Sequence, residues 1–148
     1  LARLLLAHLA EPLRAVEGWA AQLAPGGVLA LEEVEAIRAS EPIFADYLAL
    51  QARLLAARGH DLYLGARLRA LSGPSVRQSR AVSVSPAAGE AAAMFALNFT
   101  HWRRDPWTLA NATPAELERL SAGLESLLGD PTHGRITWTM RQVILQPR

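Results

Sequence analysis

The hydrophobic positions of this chain switch between two periods. Leu13, Val16, Trp19, Ala20 and Leu23 recur at helical spacing, which predicts an amphipathic helix over 13–23. Ala24-Pro25-Gly26-Gly27 ends it, because proline cannot continue the hydrogen-bond ladder and the glycines free the backbone to turn. Ahead of it, Leu1 to Leu9 reads as the end of a strand followed by a helical turn. Val28-Leu29-Ala30-Leu31 is a continuous apolar run of the kind that forms a strand covered on both faces, and Glu32-Glu33 is expected to be its polar exit. From Pro42 to Arg58, Ile43, Phe44, Tyr47, Leu48, Leu50, Leu54 and Leu55 again keep helical spacing, with Gly59 as the stop. Asp61 is placed to cap a second helix carrying Leu62, Leu64, Leu68 and Leu71 as far as Gly73-Pro74.

The second half repeats the alternation. Val76 to Val84, bounded by prolines, predicts a strand, and the Ala-rich Ala87 to Trp102 predicts a helix that breaks around Asp105-Pro106. Thr113-Pro114-Ala115-Glu116 combines a capping threonine, proline in the first turn and a glutamate three residues on, so a helix starts there and runs to about Leu128. After Gly129-Asp130-Pro131, residues Arg135 to Gln146 alternate and predict a long last strand. Interleaved helices and strands favour an α/β layered sheet over a helical bundle.

Composition changes this picture little. The chain has 148 residues, the size of one domain, with 51% hydrophobic and 20% charged residues. All fifteen basic residues are Arg, they are dispersed, and the net charge is only +1, so no electrostatic footprint of a nucleic-acid binder is present. There is no cysteine, which excludes disulfides, thiolate metal sites and a Cys nucleophile and suits a cytoplasmic protein. The four His residues, 8, 60, 101 and 133, lack metal-ligand spacing, and the expectation is no metal. The opening apolar run is too short to span a membrane, and no membrane partner is expected.

Two segments carry a family resemblance. Arg3-Leu4-Leu5-Leu6-Ala7-His8-Leu9-Ala10-Glu11-Pro12 and Leu23-Ala24-Pro25-Gly26-Gly27-Val28-Leu29-Ala30-Leu31-Glu32-Glu33 resemble, in order and spacing, two successive strand regions of class I S-adenosylmethionine-dependent methyltransferases. Gly59-His60-Asp61 with Gly65, Leu68, Leu71 and Gly73 looks like the segment before that family's sixth strand, and Ile136 to Val143 looks like its seventh. The resemblance implies the C-terminal half of a doubly wound, mostly parallel sheet, with an antiparallel last strand and helices on both faces. Residues 1–148 would then be the C-terminal part of one methyltransferase domain. The family's Gly-rich cofactor loop has no counterpart, since the sequence contains no Gly-x-Gly. The expectation is therefore that the parent full-length protein transfers a methyl group from S-adenosylmethionine to a small organic acceptor, and that this segment alone binds cofactor poorly. The edge near Leu1 would be left for an upstream half or for another chain, a homodimer included. The alternative is a non-catalytic helical ligand-binding or partner module.

The resemblance places Arg3, Leu4 and His8 beside the cofactor's methionine part. Arg3 equally suits a solvated strand end, and His8 a packing residue. Glu32 and Glu33, at the carboxyl end of a strand, stand where open α/β sheets bind ligands, and equally suit a solvated pair. Asn98, His101 and Trp102, with Arg103 and Arg104, combine a candidate base, an aromatic wall and cations that could line an acceptor pocket, or simply end a helix. Tyr47, His60 and Tyr63 fall in the helices of the family's substrate lid, where Tyr also serves as core. In-line transfer from a sulfonium needs alignment more than acid or base groups, so no sharp catalytic motif is expected.

Overall fold

The computed structural model describes residues 1–72, 75–129 and 134–146. In chain order it contains β1 (Ala2–Arg3), a 3₁₀ turn (Leu6–His8), α1 (Pro12–Ala21), β2 (Leu29–Ala39), α2 (Pro42–Ala57), α3 (Gly65–Leu68), β3 (Val76–Val84), α4 (Ala88–Trp102), α5 (Pro106–Asn111), α6 (Pro114–Ser126) and β4 (Ile136–Leu145). The fold is α/β, with a four-stranded mixed sheet in the order β1-β2-β4-β3. Only β1 and β2 are parallel, paired through Ala2 with Leu31 and Arg3 with Glu32. The last strand, β4, runs antiparallel to its neighbours, as expected, whereas the expected predominance of parallel pairs is not found among these four strands. By its contacts the chain divides into two compact units, one of residues 1–37, 55–84 and 138–148, the other of 38–54 and 85–137.

The first unit holds the sheet and a core of Leu6, Val16, Leu29, Leu31, Leu64, Leu68, Val143 and Leu145. Alternation along β2 puts Leu29, Leu31, Glu33 and Glu35 on one face. Here the sequence expectation needs correcting: Glu32 and Glu33 are no strand exit, because β2 continues to Ala39. A charge can occupy the inner face because each carboxylate is bonded. Glu35 Oε2 accepts from Arg141 Nε at 2.7 Å and pairs with Nη2 at 2.6 Å, while Arg69 Nη1 approaches its other oxygen at 3.4 Å.

The expected helix after Asp61 shortens to four residues, α3, flanked by turns. Its N-terminal residue is Gly65, and a Cβ there would lie 2.7 Å from Glu33 O, Val34 C and Glu35 N. The segment therefore lies directly on the backbone of β2, a packing that dictates its path more than helix propensity does. Its expected stop, Gly73-Pro74, lies outside the described residues, as does Asp130-Pro131. α1, α2, β3, α4, α6 and β4 match their predicted spans to within a few residues.

The second unit is helical, apart from short strand ends, with α4 packed on α6. Phe44, Tyr47, Phe95, Phe99 and Trp102 form its aromatic core, with Tyr47 stacked on Phe95 at 4.5 Å between ring centres and Phe99 edge-on to Trp102 at 4.8 Å. Thr113 caps α6 as its sequence pattern requires. Its Oγ1 accepts from Glu116 N at 3.2 Å, while its own N–H and hydroxyl donate to Glu116 Oε2 at 2.7 and 2.8 Å and hold the Glu116 carboxyl below its usual range. α5 went unpredicted, although Asp105 accepting from Trp107 N at 3.0 Å, with Pro106 next, is the same start signal.

Candidate functional site

The parallel pairing of β1 with β2 ends at Arg3 and Glu32, and the chain leaves β1 through an unusual residue. Leu4 has φ 51°, the left-handed region that costs a non-glycine residue about 1–3 kcal/mol. The leucine at this position keeps its side chain exposed, as does Leu5, so packing does not force the conformation. What holds it is hydrogen bonding: Leu4 N–H donates to Glu32 O at 2.9 Å, and Leu5 and Leu6 N–H donate to Glu33 Oε1 at 2.8 and 2.7 Å.

Glu33 is completely buried. Burial raises its pKa above the usual carboxylate value, against the opposing pull of the Leu6, Leu5 and Ala7 N–H groups and the charge of His8. Among the described residues its second oxygen, Oε2, meets no hydrogen-bond partner. Glu32 looks the other way along the strand alternation. It pairs with Arg3 Nε at 2.7 Å and accepts from the Gln142 side-chain amide.

The 3₁₀ turn Leu6–His8 is also tied at its far end. Asp61 N–H donates to Ala7 O at 3.2 Å, and the His60 ring meets His8 edge-on at 5.7 Å between centres. Asp61 in turn accepts from Tyr63 N at 3.0 Å, which fixes the turn that carries it. The first unit thus brings together Arg3, Leu4, His8, Glu32, Glu33 and His60 from the predicted set, and adds Asp61 and the Leu5 and Leu6 amides. The amides could not have been found from the sequence, because their acceptor is 27 and 28 positions away.

Tyr63 also lies in the first unit, and the remaining predicted residues belong to the second. Tyr47 is fully buried, and Trp102 lies 5.3 Å from it between ring centres. Burial pushes the Tyr47 hydroxyl up to about 12, against small opposing contributions from Trp102 and Asn98. Neither reaches it in hydrogen-bond geometry, so the Tyr47 hydroxyl and Trp102 Nε1 are both buried without a partner among the described residues. His101 is exposed. Arg103 does not serve as a free cation: it lies over the Phe99 ring at 5.5 Å, donates to Ser121 Oγ at 3.2 Å and approaches Glu118 at 3.7 Å. The predicted cluster therefore separates into an inward set, Tyr47, Asn98 and Trp102, and an outward His101.

Among the described residues, no group of three His, Asp or Glu side chains could hold a metal ion, and His133 lies outside them. No described helix is long and apolar enough to cross a membrane. No protein-family model matches the chain, and no curated protein is significantly similar to it.

Proposed function

We propose that the complete protein carrying this chain transfers a methyl group from S-adenosylmethionine to a small organic acceptor in the cytoplasm, and that residues 1–148 form the C-terminal part of its doubly wound sheet. The observation that supports this best is the strained turn at the carboxyl end of the parallel β1–β2 pair. Leu4 stands there at φ 51° beside the Arg3–Glu32 ion pair, and this is the edge at which open α/β sheets receive ligands.

In this reading the Arg3–Leu4 backbone and His8 face the methionine part of the cofactor, and Glu32 faces the acceptor. Tyr47, Asn98 and Trp102 stay a separate candidate set within the second unit, with two unpartnered buried polar atoms to satisfy. The exposure of His101 makes it the least suited of the set. S-adenosylmethionine supplies an electrophilic methyl carbon on a sulfonium. Once bound, it would give that carbon to an acceptor lone pair as the carbon–sulfur bond breaks, the acceptor's proton, where it has one, passing to solvent. The chain's own part is to align the acceptor and exclude water. Binding of the adenosine part requires a Gly-rich loop that residues 1–148 do not contain.

A second reading has one observation in its favour. β1 is an edge strand with Leu1, Leu4 and Leu5 exposed, which suits a subunit that completes another chain's sheet. The helical ligand-binding module considered above is disfavoured by the four-stranded sheet. Intact mass of the natural gene product, followed by calorimetric titration with S-adenosylmethionine, separates the two remaining readings. Saturable binding by a product well above 16.0 kDa is the expected result. A product of that mass which binds nothing and dimerises through the Leu1 edge overturns the enzyme reading.

A further inference from the structure

We propose that Glu33 is a positioning residue: its buried carboxylate, bonded to the N–H groups of Leu5 and Leu6, holds the turn from Leu4 to His8 in the shape that receives S-adenosylmethionine. This rests on the methyl-transfer reading above.

Leu4 occupies a backbone region that leucine abandons when nothing holds it there. The far end of the turn is tied at Ala7 and His8, by Asp61 and His60. At the strained end the anchors are Leu4 N–H to Glu32 O and the two bonds to Glu33 Oε1. Glu33 reaches this point because β2 carries it on the same face as Leu29 and Leu31, one step beyond the end of the β1–β2 pairing. A carboxylate oxygen is suited to two converging N–H donors, because it accepts both at short distance. A core role alone would be served better by a leucine at this fully buried position, which would carry no desolvation cost. The polar side chain is explained by the two amides it holds.

The test uses the complete gene product, isotope-labelled, with S-adenosylmethionine as the probe. Glu33→Gln retains an oxygen acceptor of the same reach, Glu33→Asp withdraws it by one methylene, and Glu33→Ala removes it. Leu120→Ala, in the core of the second unit, controls for lost stability alone. Glu33 is faced by His8 from the turn, with His60 behind it. Its strand neighbours Glu32 and Glu35 are paired with Arg3, and with Arg69 and Arg141.

In the wild type, the Leu5 and Leu6 amide shifts are expected to move with pH about one common midpoint, and in Glu33→Gln that movement disappears. Glu33→Gln should bind within about threefold of wild type. Glu33→Asp and Glu33→Ala should bind about tenfold more weakly or worse, as expected if the receptive turn falls to roughly a tenth of the population. Leu120→Ala should bind as wild type does.

Leu5 and Leu6 amides that do not titrate in the wild type, or a folded Glu33→Asp or Glu33→Ala variant that binds like a wild type that itself binds, overturn the inference and leave the methyl-transfer reading standing. Should Glu33→Ala not fold, Glu33→Asp and the amide titration decide. A wild-type protein that binds no S-adenosylmethionine overturns the functional reading, and this inference with it.

Discussion

Replacing Gly65 by alanine adds a single methyl group where a helix lies directly on strand backbone. The new Cβ would stand 2.7 Å from Glu33 O, Val34 C and Glu35 N. Carbon contacts are comfortable at about 3.5 Å or more, so α3 and β2 must separate by roughly 0.8 Å. None of the three atoms belongs to a flexible side chain, and β2 is also held by β1 and β4. The strain therefore cannot be relieved locally. Overpacking of this kind costs about 1–3 kcal/mol, and the separation also loosens the bonds that Glu33 and Glu35 make on either side.

We expect a loss of about 3 kcal/mol, a fall in Tm of roughly 6–12 °C for a chain of this size. Urea titration followed by tryptophan fluorescence measures it. Gly18→Ala is the matched control, since its Cβ meets nothing within 4 Å and lies in the exposed face of α1. There the same substitution should stabilise by about 0.5–1 kcal/mol through helix propensity. A Gly65→Ala variant as stable as wild type, or a Gly18→Ala variant that loses as much as Gly65→Ala, would refute the reasoning.

Three further expectations follow from the same contacts. Arg141→Met leaves the Glu35 carboxylate, only 12% exposed, with the largely exposed Arg69 at 3.4 Å alone, and should cost about 3 kcal/mol by chemical denaturation, whereas Glu35→Leu combined with Arg141→Met recovers most of it. A double-variant loss equal to the sum of the losses of Glu35→Leu and Arg141→Met alone would show that the pair is not coupled. Burial raises Glu33 above its ordinary value near 4.5, so the folded state binds that proton more tightly than the unfolded chain does. Its contribution to stability is then greatest below the ordinary value and is lost as pH rises towards the folded value, and Glu33→Gln should flatten this slope in urea midpoints taken across it; an unchanged slope counts against the assignment. Tyr47→Phe removes a buried hydroxyl without a partner among the described residues and should leave stability unchanged or raise it by up to about 1 kcal/mol. A calorimetric loss above about 2 kcal/mol would mean that the hydroxyl is satisfied, for instance by a bound water.

The elements whose signals are local were legible in the chain. Thr113-Pro114-Ala115-Glu116 predicted α6 because capping atoms lie within three residues of each other, and β3 was bounded by its flanking prolines. The apolar face of α2 was visible as helical spacing of Phe44, Tyr47, Leu48 and Leu54. Period and capping are properties of neighbouring residues, and for these the sequence was sufficient.

Tertiary structure decided whatever depends on distant partners. A pair of adjacent glutamates looks like the end of a strand, since carboxylates are normally solvated. Here β2 runs on, because the Leu5 and Leu6 amides bind Glu33, and Arg141 binds Glu35 from 106 positions away. The apolar pattern after Asp61 looks like a helix of several turns, but contact of Gly65 with β2 reduces it to one. The site follows the same division. Arg3, Leu4, His8, Glu32 and Glu33 could be picked out by type and position, yet the division of labour between Glu32, turned to Arg3, and Glu33, turned to the amides of the strained turn, exists only once β1 and β2 are paired. Hydrogen-bond energy depends on the distance and angle between groups that the chain separates, and folding alone sets both.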